Sequence, residues 1–289
     1  MQKPHVTCIG AAHWDVIAQA HHPLRVGDDM PGTIRRTPGG VAFNIASALS
    51  KRGVSVRLIS TVGADGEGEA LLNIAKLRGI DVTGVRRLEG KSTDSYVAIE
   101  GSDGALFAAI ADATLIEATG RELFDALQGH GLGGTVIVDG NLAQAALDDL
   151  TAMPILRNTD LRLVAPSPQK APRLLGLMRE RGAMVYANLA EANAMLEGRF
   201  ADAPAAARAL VEEGAGMAVV TNGHNPAAFS DGRRTVSAAP PPVINGNVTG
   251  AGDALVAGHI VAERSGNTPW DALNSALQAA RHHMEGREA

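Results

Sequence analysis

The sequence is poor in aromatic residues and has almost no cysteine. Its 289 residues include 5 Phe, 2 Trp, 2 Tyr and 1 Cys, which is Cys8. A lone cysteine excludes an internal disulfide framework and a thiolate metal cluster, and it is typical of proteins that stay in a reducing compartment. We therefore expect a cytoplasmic protein.

Basic runs and long apolar runs are also absent. The formal net charge is −5 and few rings are available to stack on bases, so a nucleic-acid polymer is a poor candidate partner. No apolar run approaches the ~20 residues that a membrane helix needs, and the polar N-terminal segment differs from a signal peptide. These absences favour a small-molecule ligand over a nucleic acid or a membrane.

The hydrophobic pattern predicts an α/β fold. The chain is 45% hydrophobic and 20% charged and contains 33 Gly, a composition that suits close packing of helices on a sheet. Short apolar runs alternate with amphipathic segments such as residues 41–51, which is typical of βα units on a mostly parallel sheet. The apolar runs fall at residues 5–9, 56–62, 135–139, 161–165, 184–187 and 217–221.

Two stretches depart from this rhythm. Residues 15–37 have no helical period, and residues 93–111 alternate around Ser102-Asp103-Gly104, which is a hairpin turn signal. We expect the two stretches to form a small β-sheet that projects from the core. Such an appendage typically covers a binding site or pairs with a second copy of itself.

The clearest candidate for chemistry is the run Asn-Val-Thr-Gly-Ala-Gly-Asp at residues 247–253, which precedes a helical pattern. Small residues at a helix start let backbone N–H groups approach an anion, and the helix dipole favours negative charge there. Asp253, in the first turn, is placed to take a proton from a hydroxyl that attacks a phosphoryl group. The alternative is that Asp253 only complements the helix dipole.

A second candidate lies at another predicted helix start, Gly39-Gly40-Val41-Ala42-Phe43-Asn44, with Gly53 and Gly63 beyond it. Adjacent glycines allow a ligand to lie against bare backbone. Asn44 offers a donor and an acceptor to a pair of sugar hydroxyls. A tight turn with an exposed Asn is the alternative interpretation.

Together the two motifs resemble the signatures of the PfkB family, the ribokinase-like carbohydrate kinases. Two signatures in the right order on an α/β rhythm are much more specific than either alone. The resemblance implies a three-layer α/β/α core with a mostly parallel sheet, plus a small β-sheet lid. It divides the chain into a core of residues 1–14, 38–92 and 112–289, with the nucleotide and catalytic site, and a lid of residues 15–37 and 93–111 over the acceptor site.

The resemblance also implies an ATP-dependent kinase that phosphorylates an alcohol group. The catalytic residues would be Asp253 as general base and the backbone of Gly250, Ala251 and Gly252 as an anion hole. The acceptor-binding residues would be His13, Asp15, Gly39, Gly40, Asn44, Ser95, Ile110, Asp112 and Asn141. The nucleotide-binding residues would be Asn188, Glu191, Thr221, Gly223, Thr249, Gly250 and Gly252.

Metal use follows from the same resemblance. Asn188-x-x-Glu191 resembles the family element that helps to arrange magnesium and phosphate, and Glu191 would hold Mg²⁺ through water. Asn247 stands where many relatives have Asp, which weakens the expectation of a monovalent-cation site. Pro226 replaces a usual glycine after Thr221-Asn222-Gly223, and His13 replaces a common Asn, so the sequence departs from the family at these two places.

Three further stretches resemble pseudouridine kinases within the family, namely residues 109–112, 139–142 and 165–174. They imply that the acceptor is the ribose 5′-hydroxyl of a C-nucleoside, with its base under the lid. Phe43 stands where a basic residue is expected in those enzymes. Because relatives often dimerise through the lid sheet, and an unpaired hairpin leaves an open strand edge, we also expect a homodimer.

Three other functions remain open at this stage. The first is another kinase of this family, acting on ribose, a related sugar or another nucleoside, because fold and catalytic core do not determine the acceptor. The second is a sensor that binds the ligand without turnover. The third is a dinucleotide-dependent oxidoreductase, against which the order of glycines at Gly63, Gly66 and Gly68 counts.

Overall fold

The computed structural model describes residues 6–27, 29–127, 132, 134–243 and 248–287. Within these residues no helix has the length and hydropathy that a membrane crossing requires. The strands are β1 (Val6–Ile9), β2 (His13–Ala20), β3 (Gly32–Gly39), β4 (Val56–Gly63), β5 (Asp81–Leu88), β6 (Ser95–Glu100), β7 (Leu106–Asp112), β8 (Thr135–Asp139), β9 (Asp160–Val164), β10 (Met184–Asn188), β11 (Met217–Asn222), β12 (Asn225–Ser230) and β13 (Thr235–Ala238). The α-helices are α1 (Val41–Lys51), α2 (Gly66–Leu77), α3 (Thr114–Ala118), α4 (Gln144–Ala152), α5 (Leu175–Arg181), α6 (Leu189–Met195), α7 (Ala203–Glu212), α8 (Ala251–Arg264) and α9 (Pro269–Met284).

The large sheet has the order β13-β12-β11-β10-β9-β8-β1-β4-β5. The strands from β11 to β5 pair in parallel, whereas β12 and β13 add an antiparallel edge. The chain moves outward from β1 through β4 on one side and from β8 through β9 on the other. The strand order therefore reverses between β1 and β8, and ligands in such sheets bind beside the carboxyl ends of the strands at this point.

Helices cover both faces of the large sheet and complete a three-layer α/β/α core. Side chains alternate between the faces along a strand. Cys8 of β1 therefore packs in one apolar cluster with α1, α2, α8 and α9, whereas the next residue, Ile9, packs in the other with α4, α5, α6 and α7. This arrangement confirms the predicted fold class.

The small sheet has the order β3-β2-β6-β7. Its hairpin β6–β7 closes where the Gly104 N–H donates to the Gly101 carbonyl (2.9 Å), as the sequence predicts. The two stretches that depart from the βα rhythm, residues 15–37 and 93–111, thus supply strands of one sheet, which confirms the predicted small β-sheet. Its outer face leaves apolar side chains in solvent, and Ile34 and Ile110 are both 73% exposed.

The sequence pattern places the central elements well and misses the edges. The predicted helix at 41–51 is α1, and Gly53 follows it with a φ of 77° that suits a helix end. The edge strand β5 is not predicted, because Arg86 and Arg87 interrupt its apolar run. The antiparallel strands β12 and β13 also escape prediction, since they follow β11 through a turn and no helix separates them.

Candidate active site

A cavity of about 560 Å³ lies between the carboxyl ends of the large sheet and the small sheet. Its size is in the range of pockets that bind small ligands. Most of the residues predicted for the site line it, although they come from distant parts of the chain. They are His13, Asp15, Gly40, Asn44, Ser95, Asp112, Asn141, Asn188, Glu191, Thr221, Thr249, Gly250, Gly252 and Asp253.

Helix α8 begins at the cavity with an uncapped N-terminus. Its N-cap, Gly250, has a φ of 82° and no capping side chain, and this left-handed conformation favours glycine. The Ala251 N–H donates to the Val248 carbonyl (3.1 Å). The N–H groups of Gly252 and Asp253 are therefore better placed than that of Ala251 to receive an anion.

Asp253 is buried beside this helix start and is 9% exposed. Its Oδ2 accepts a hydrogen bond from Asn44 Nδ2 (2.9 Å), so the two sequence motifs meet at one carboxylate. Burial, together with the charges of Asp139, Asp15 and Glu191, raises the pKa of Asp253 to about 8, although the Asn44 hydrogen bond opposes the shift. A carboxylate with this pKa is suited to accept a proton near neutral pH.

The start of α1 packs tightly against β2 and the turn before it. A Cβ on Gly39 would lie 2.3 Å from Asp15 Oδ2, and one on Gly40 would lie 2.4 Å from the Ala11 carbonyl oxygen. The adjacent glycines therefore allow a close approach of protein groups, Asp15 and Ala11, whereas the sequence predicts that their bare backbone contacts a ligand. His13 Nε2 lies 3.1 Å from Asp15 Oδ1, and both residues line the cavity.

The other side of the cavity is formed by β10, α6 and β11. Asn188 and Glu191 form a reciprocal capping box: Asn188 Oδ1 accepts the Glu191 N–H (2.9 Å) and Glu191 Oε2 accepts the Asn188 N–H (2.7 Å). Burial raises the pKa of Glu191 to about 7, although these Asn188 contacts oppose the shift. Thr221 lines the cavity beside them.

A magnesium ion fits this site only through water. Among the residues that the structure describes, no group of three or more His, Cys, Asp or Glu side chains is arranged to hold a metal. Mg²⁺ keeps several waters and commonly takes one or two carboxylates plus substrate phosphates. Glu191 is a carboxylate at the cavity wall, which agrees with that mode of binding.

The small-sheet end of the cavity is polar. Lys170 Nζ donates to Asn141 Oδ1 (3.0 Å) and pairs with Glu117 Oε1 (2.9 Å). Ser95 and Asp112, from opposite strands of the hairpin, lie in register with each other there. We call these four lining residues, Ser95, Asp112, Asn141 and Lys170, the acceptor side.

The structure does not bring every predicted residue into the cavity. Ile110 lies on the outer face of the small sheet, because its neighbour Ala111 faces the cavity and side chains alternate along a strand. Gly223 lies in the turn between β11 and β12 with a φ of 57°. Gly39 packs against the Asp15 carboxylate and does not line the cavity. Asn247 is outside the described residues.

Two residues at the site are not singled out by the sequence. Asp139 is fully buried below the cavity, and the sequence offers it only as the first residue of the stretch 139–142, without a role of its own. His283 Nε2 lies 2.8 Å from the Thr249 carbonyl oxygen. A histidine in the last turn of α9 thereby contacts the turn that begins α8.

Comparison with known proteins agrees with this geometry. A model of the pfkB family carbohydrate kinases matches residues 3–285. Among curated proteins, the chain is 31% identical over 280 residues to the pseudouridine kinase of Escherichia coli, and the match covers 89% of this chain and 83% of that protein.

Solved structures superpose over nearly the whole chain. A carbohydrate kinase from Agrobacterium tumefaciens has a TM-score of 0.79 at 28% identity and covers 97% of this chain and 90% of its own. Arabidopsis thaliana ribokinase complexed with ribose and ATP has a TM-score of 0.79 at 17% identity, covering 98% of this chain and 93% of its own. The second likeness supports the fold alone.

Proposed function

The chain belongs to the pfkB family of carbohydrate kinases and is an ATP-dependent kinase, and from this premise we propose that it phosphorylates the 5′-hydroxyl of pseudouridine. The observation that carries the proposal is the cavity, in which a buried carboxylate with a raised pKa faces the same space as a polar acceptor side. The similarity to a pseudouridine kinase over most of both chains supports it.

Asp253 acts as the general base in this proposal. The acceptor hydroxyl loses its proton to Asp253 as its oxygen attacks the γ-phosphorus of ATP, and the bond from that phosphorus to the bridging oxygen breaks to release ADP. Asn44 holds Asp253 in one orientation through the 2.9 Å hydrogen bond. Asp15 and His13 bind the acceptor hydroxyls beside it.

The helix start of α8 stabilises the charge that develops on the transferred group. The N–H groups of Gly252 and Asp253 lie where the helix dipole is positive, and stabilisation of this kind is often the largest single contribution to catalysis. Asn188, Glu191 and Thr221 line the donor phosphate side. Glu191 would hold Mg²⁺ there through water, and the ion would supply positive charge to the donor phosphates.

The acceptor side matches the edge of a uracil ring. Such a ring presents carbonyl acceptors and N–H donors, and Lys170 offers only donors whereas the Asp112 carboxylate offers only acceptors. Asn141 offers both. Hydrogen-bonding groups placed for one set of partners discriminate strongly against ligands that leave them unpaired.

The small sheet acts in the proposal as a lid and as a dimer interface. We propose the division into a core of residues 1–14, 38–92 and 112–289 and a lid of residues 15–37 and 93–111, with the lid excluding water from the phosphoryl transfer. The outer face of the lid would pair with a second copy, because exposed apolar patches mark interaction surfaces. The exposed apolar residues that strand alternation and register place on this face are Ile34, Val97, Ile99 and Ile110.

The test is an acceptor panel with Mg-ATP, measured as ADP release with pseudouridine, uridine, ribose, fructose and adenosine. We expect kcat/KM to be highest for pseudouridine. A preference for ribose or another acceptor would reject pseudouridine and keep the kinase assignment. Binding of an acceptor and ATP with no ADP formed would favour a sensor instead.

A further inference from the structure

A buried carboxylate beneath the cavity connects its own turn with two distant segments. Asp139 ends β8 where the strand order reverses, and its side chain has no exposure. Its Oδ2 accepts the N–H groups of Ala11 (2.8 Å) and Ala42 (3.0 Å), and its Oδ1 accepts the N–H of Asn141 (2.8 Å). The three donors are backbone groups, so the contacts fix the path of the chain at three places.

The fold leaves space for this carboxylate at Gly10. A Cβ on Gly10 would lie 2.2 Å from both Cγ and Oδ2 of Asp139, which is closer than real side chains approach. The bare backbone of Gly10 therefore lets the carboxylate pass under the end of β1 and reach Ala11 and Ala42. The Asp139 carboxylate therefore occupies the space that a side chain at residue 10 would fill.

Helix α1 has no capping side chain of its own. Its N-cap is Gly40, and Ala42 is the second helical residue. A capping oxygen normally accepts the N–H of the second or third residue, and the helix dipole favours a negative charge at this end. Asp139 supplies both from another strand, so the position of α1 depends on β8.

Each connected segment leads to a residue of the proposed mechanism. Ala11 lies two residues before His13, where β2 begins, and this strand carries the pair of acceptor-binding residues. Ala42 lies two residues before Asn44, whose amide donates to Asp253 (2.9 Å). Asn141 lines the cavity itself.

We infer that Asp139 is a positioning residue for phosphoryl transfer: it fixes the acceptor-binding segments at residues 10–12, 40–44 and 141 relative to the general base. The inference rests on the proposed function, because it assigns the three segments to the acceptor. Asp139 is buried and touches backbone groups, so it acts through these segments and does not contact the reacting atoms. Misplacement of a bound reactant by about 1 Å is enough to slow a reaction strongly.

The charge of Asp139 supports the same role. Three N–H donors favour its ionised form, although burial raises its pKa. The pKa of Asp253 is raised to about 8 mainly by burial, and the negative charge of Asp139 contributes to this shift. The titratable groups that interact with Asp253 from the surrounding elements are Cys8 of β1, Asp15 of β2, Asp139 of β8 and Glu191 of α6, and His283 of α9 lies beside Gly250.

The first test is Asp139→Asn, which keeps the size of the side chain, removes its charge and turns an N–H group toward an N–H donor. We expect KM for the acceptor to rise about 10-fold or more, since a buried charged acceptor is lost, while KM for ATP changes less than about 2-fold. The acidic limb of the kcat/KM profile should move to lower pH, because a neighbouring negative charge has gone. Asp148→Asn, on the exposed face of α4, is the matched control and should leave all three quantities unchanged.

The second test is Gly10→Ala, which displaces the carboxylate but keeps its charge. We expect a similar rise in acceptor KM. The acidic limb of the kcat/KM profile should lie closer to that of the wild type than the limb of Asp139→Asn does, because the charge of Asp139 is kept. Unchanged acceptor KM in Asp139→Asn would overturn the inference, as would equal increases in both KM values with no shift of the limb. Failure of both variants to fold would also overturn it, because Asp139 would then be needed for the scaffold itself.

The two claims fail separately in this design. Turnover of pseudouridine by the wild type tests the proposed function. The ratios between variant and wild type are measured with whichever of pseudouridine or ribose the wild type phosphorylates. If the wild type phosphorylates ribose and not pseudouridine, the proposed substrate is wrong. The KM ratios of Asp139→Asn to wild type, measured with ribose, would still test the positioning role.

Discussion

The two sides of the cavity differ in how they are built. The catalytic side centres on Asp253, which is 9% exposed and accepts a hydrogen bond from the Asn44 amide. On the acceptor side the Lys170 side chain is 20% exposed and its partner Glu117 37% exposed. The difference suggests that the buried side sets the chemistry, whereas the open side sets which molecule receives the phosphoryl group.

The largest effect should come from removing the base on the catalytic side. Asp253→Asn should lower kcat about 10²–10⁴-fold, on the order of 3–5 kcal/mol in the barrier, with little change in acceptor KM. The control is Asp271→Asn, because Asp271 holds the same third position in α9 but is exposed. Steady-state kinetics would contradict the base role if both variants lost activity equally, since Asp253 would then only complement a helix dipole.

A change on the acceptor side should affect KM for the acceptor more than kcat. Lys170→Met should raise KM for the acceptor about 10–100-fold, because a charged hydrogen bond to the ligand is worth about 1.5–3 kcal/mol, and should leave KM for ATP nearly unchanged. Lys76→Met, on exposed α2 surface, is the control. A fall in kcat without a change in acceptor KM would place Lys170 in the chemistry and break the distinction between the two sides.

The pH profile sharpens the description of the catalytic side. Burial and neighbouring carboxylates raise the pKa of Asp253 to about 8, and the base must be unprotonated to act. We therefore expect kcat/KM to fall about tenfold for each pH unit below about 8 and to level off above it. A flat profile between about pH 6 and 9 would show that Asp253 is already ionised, or that it is not the base.

Stability gives an independent view of the same group. The folded pKa of about 8 lies above the unfolded value of 3.8, so ionisation of Asp253 opposes folding increasingly as pH rises between these values. Asp253→Asn should therefore raise the melting temperature more at pH 9 than at pH 4. An equal effect at both values would mean that the carboxylate is not disfavoured by its surroundings.

The smallest effect on chemistry should come from the outer face of the small sheet. Ile34→Asp should convert a dimer into a monomer, because it places a charge on an apolar face where Ile34 is 73% exposed. Leu77→Asp, at an isolated site on α2 that is 87% exposed, should leave the mass unchanged. Light scattering on a size-exclusion column measures both, and a monomeric wild type would refute the proposed dimer.

The sequence predicts the catalytic side better than the acceptor side for a physical reason. Gly250 and Asp253 lie within four residues at one helix start, so the motif is local. Ser95, Asn141 and Lys170 meet only through the fold, and no spacing along the chain reveals that they share a cavity. Asp139 is missed for the same reason, since two of its partners, the N–H groups of Ala11 and Ala42, belong to distant segments.

The fold shows a similar division. The central strands and α1 follow from hydrophobic period, whereas β5 and the β12–β13 extension depend on pairing partners that the period does not record. Ile110 illustrates the limit at single residues. Its position on a hairpin near the site is predicted, but the face it occupies depends on the register with β6.

Identification of the product tests the central claim most directly. The wild type is incubated with Mg-ATP and pseudouridine, and the product is analysed by mass spectrometry and by phosphorus NMR coupling to the ribose protons. The account predicts pseudouridine carrying one phosphate on its 5′-oxygen, formed in equal amount to ADP and nearly absent with Asp253→Asn. ADP formed without a phosphorylated nucleoside, or a phosphate on any other oxygen, would contradict it.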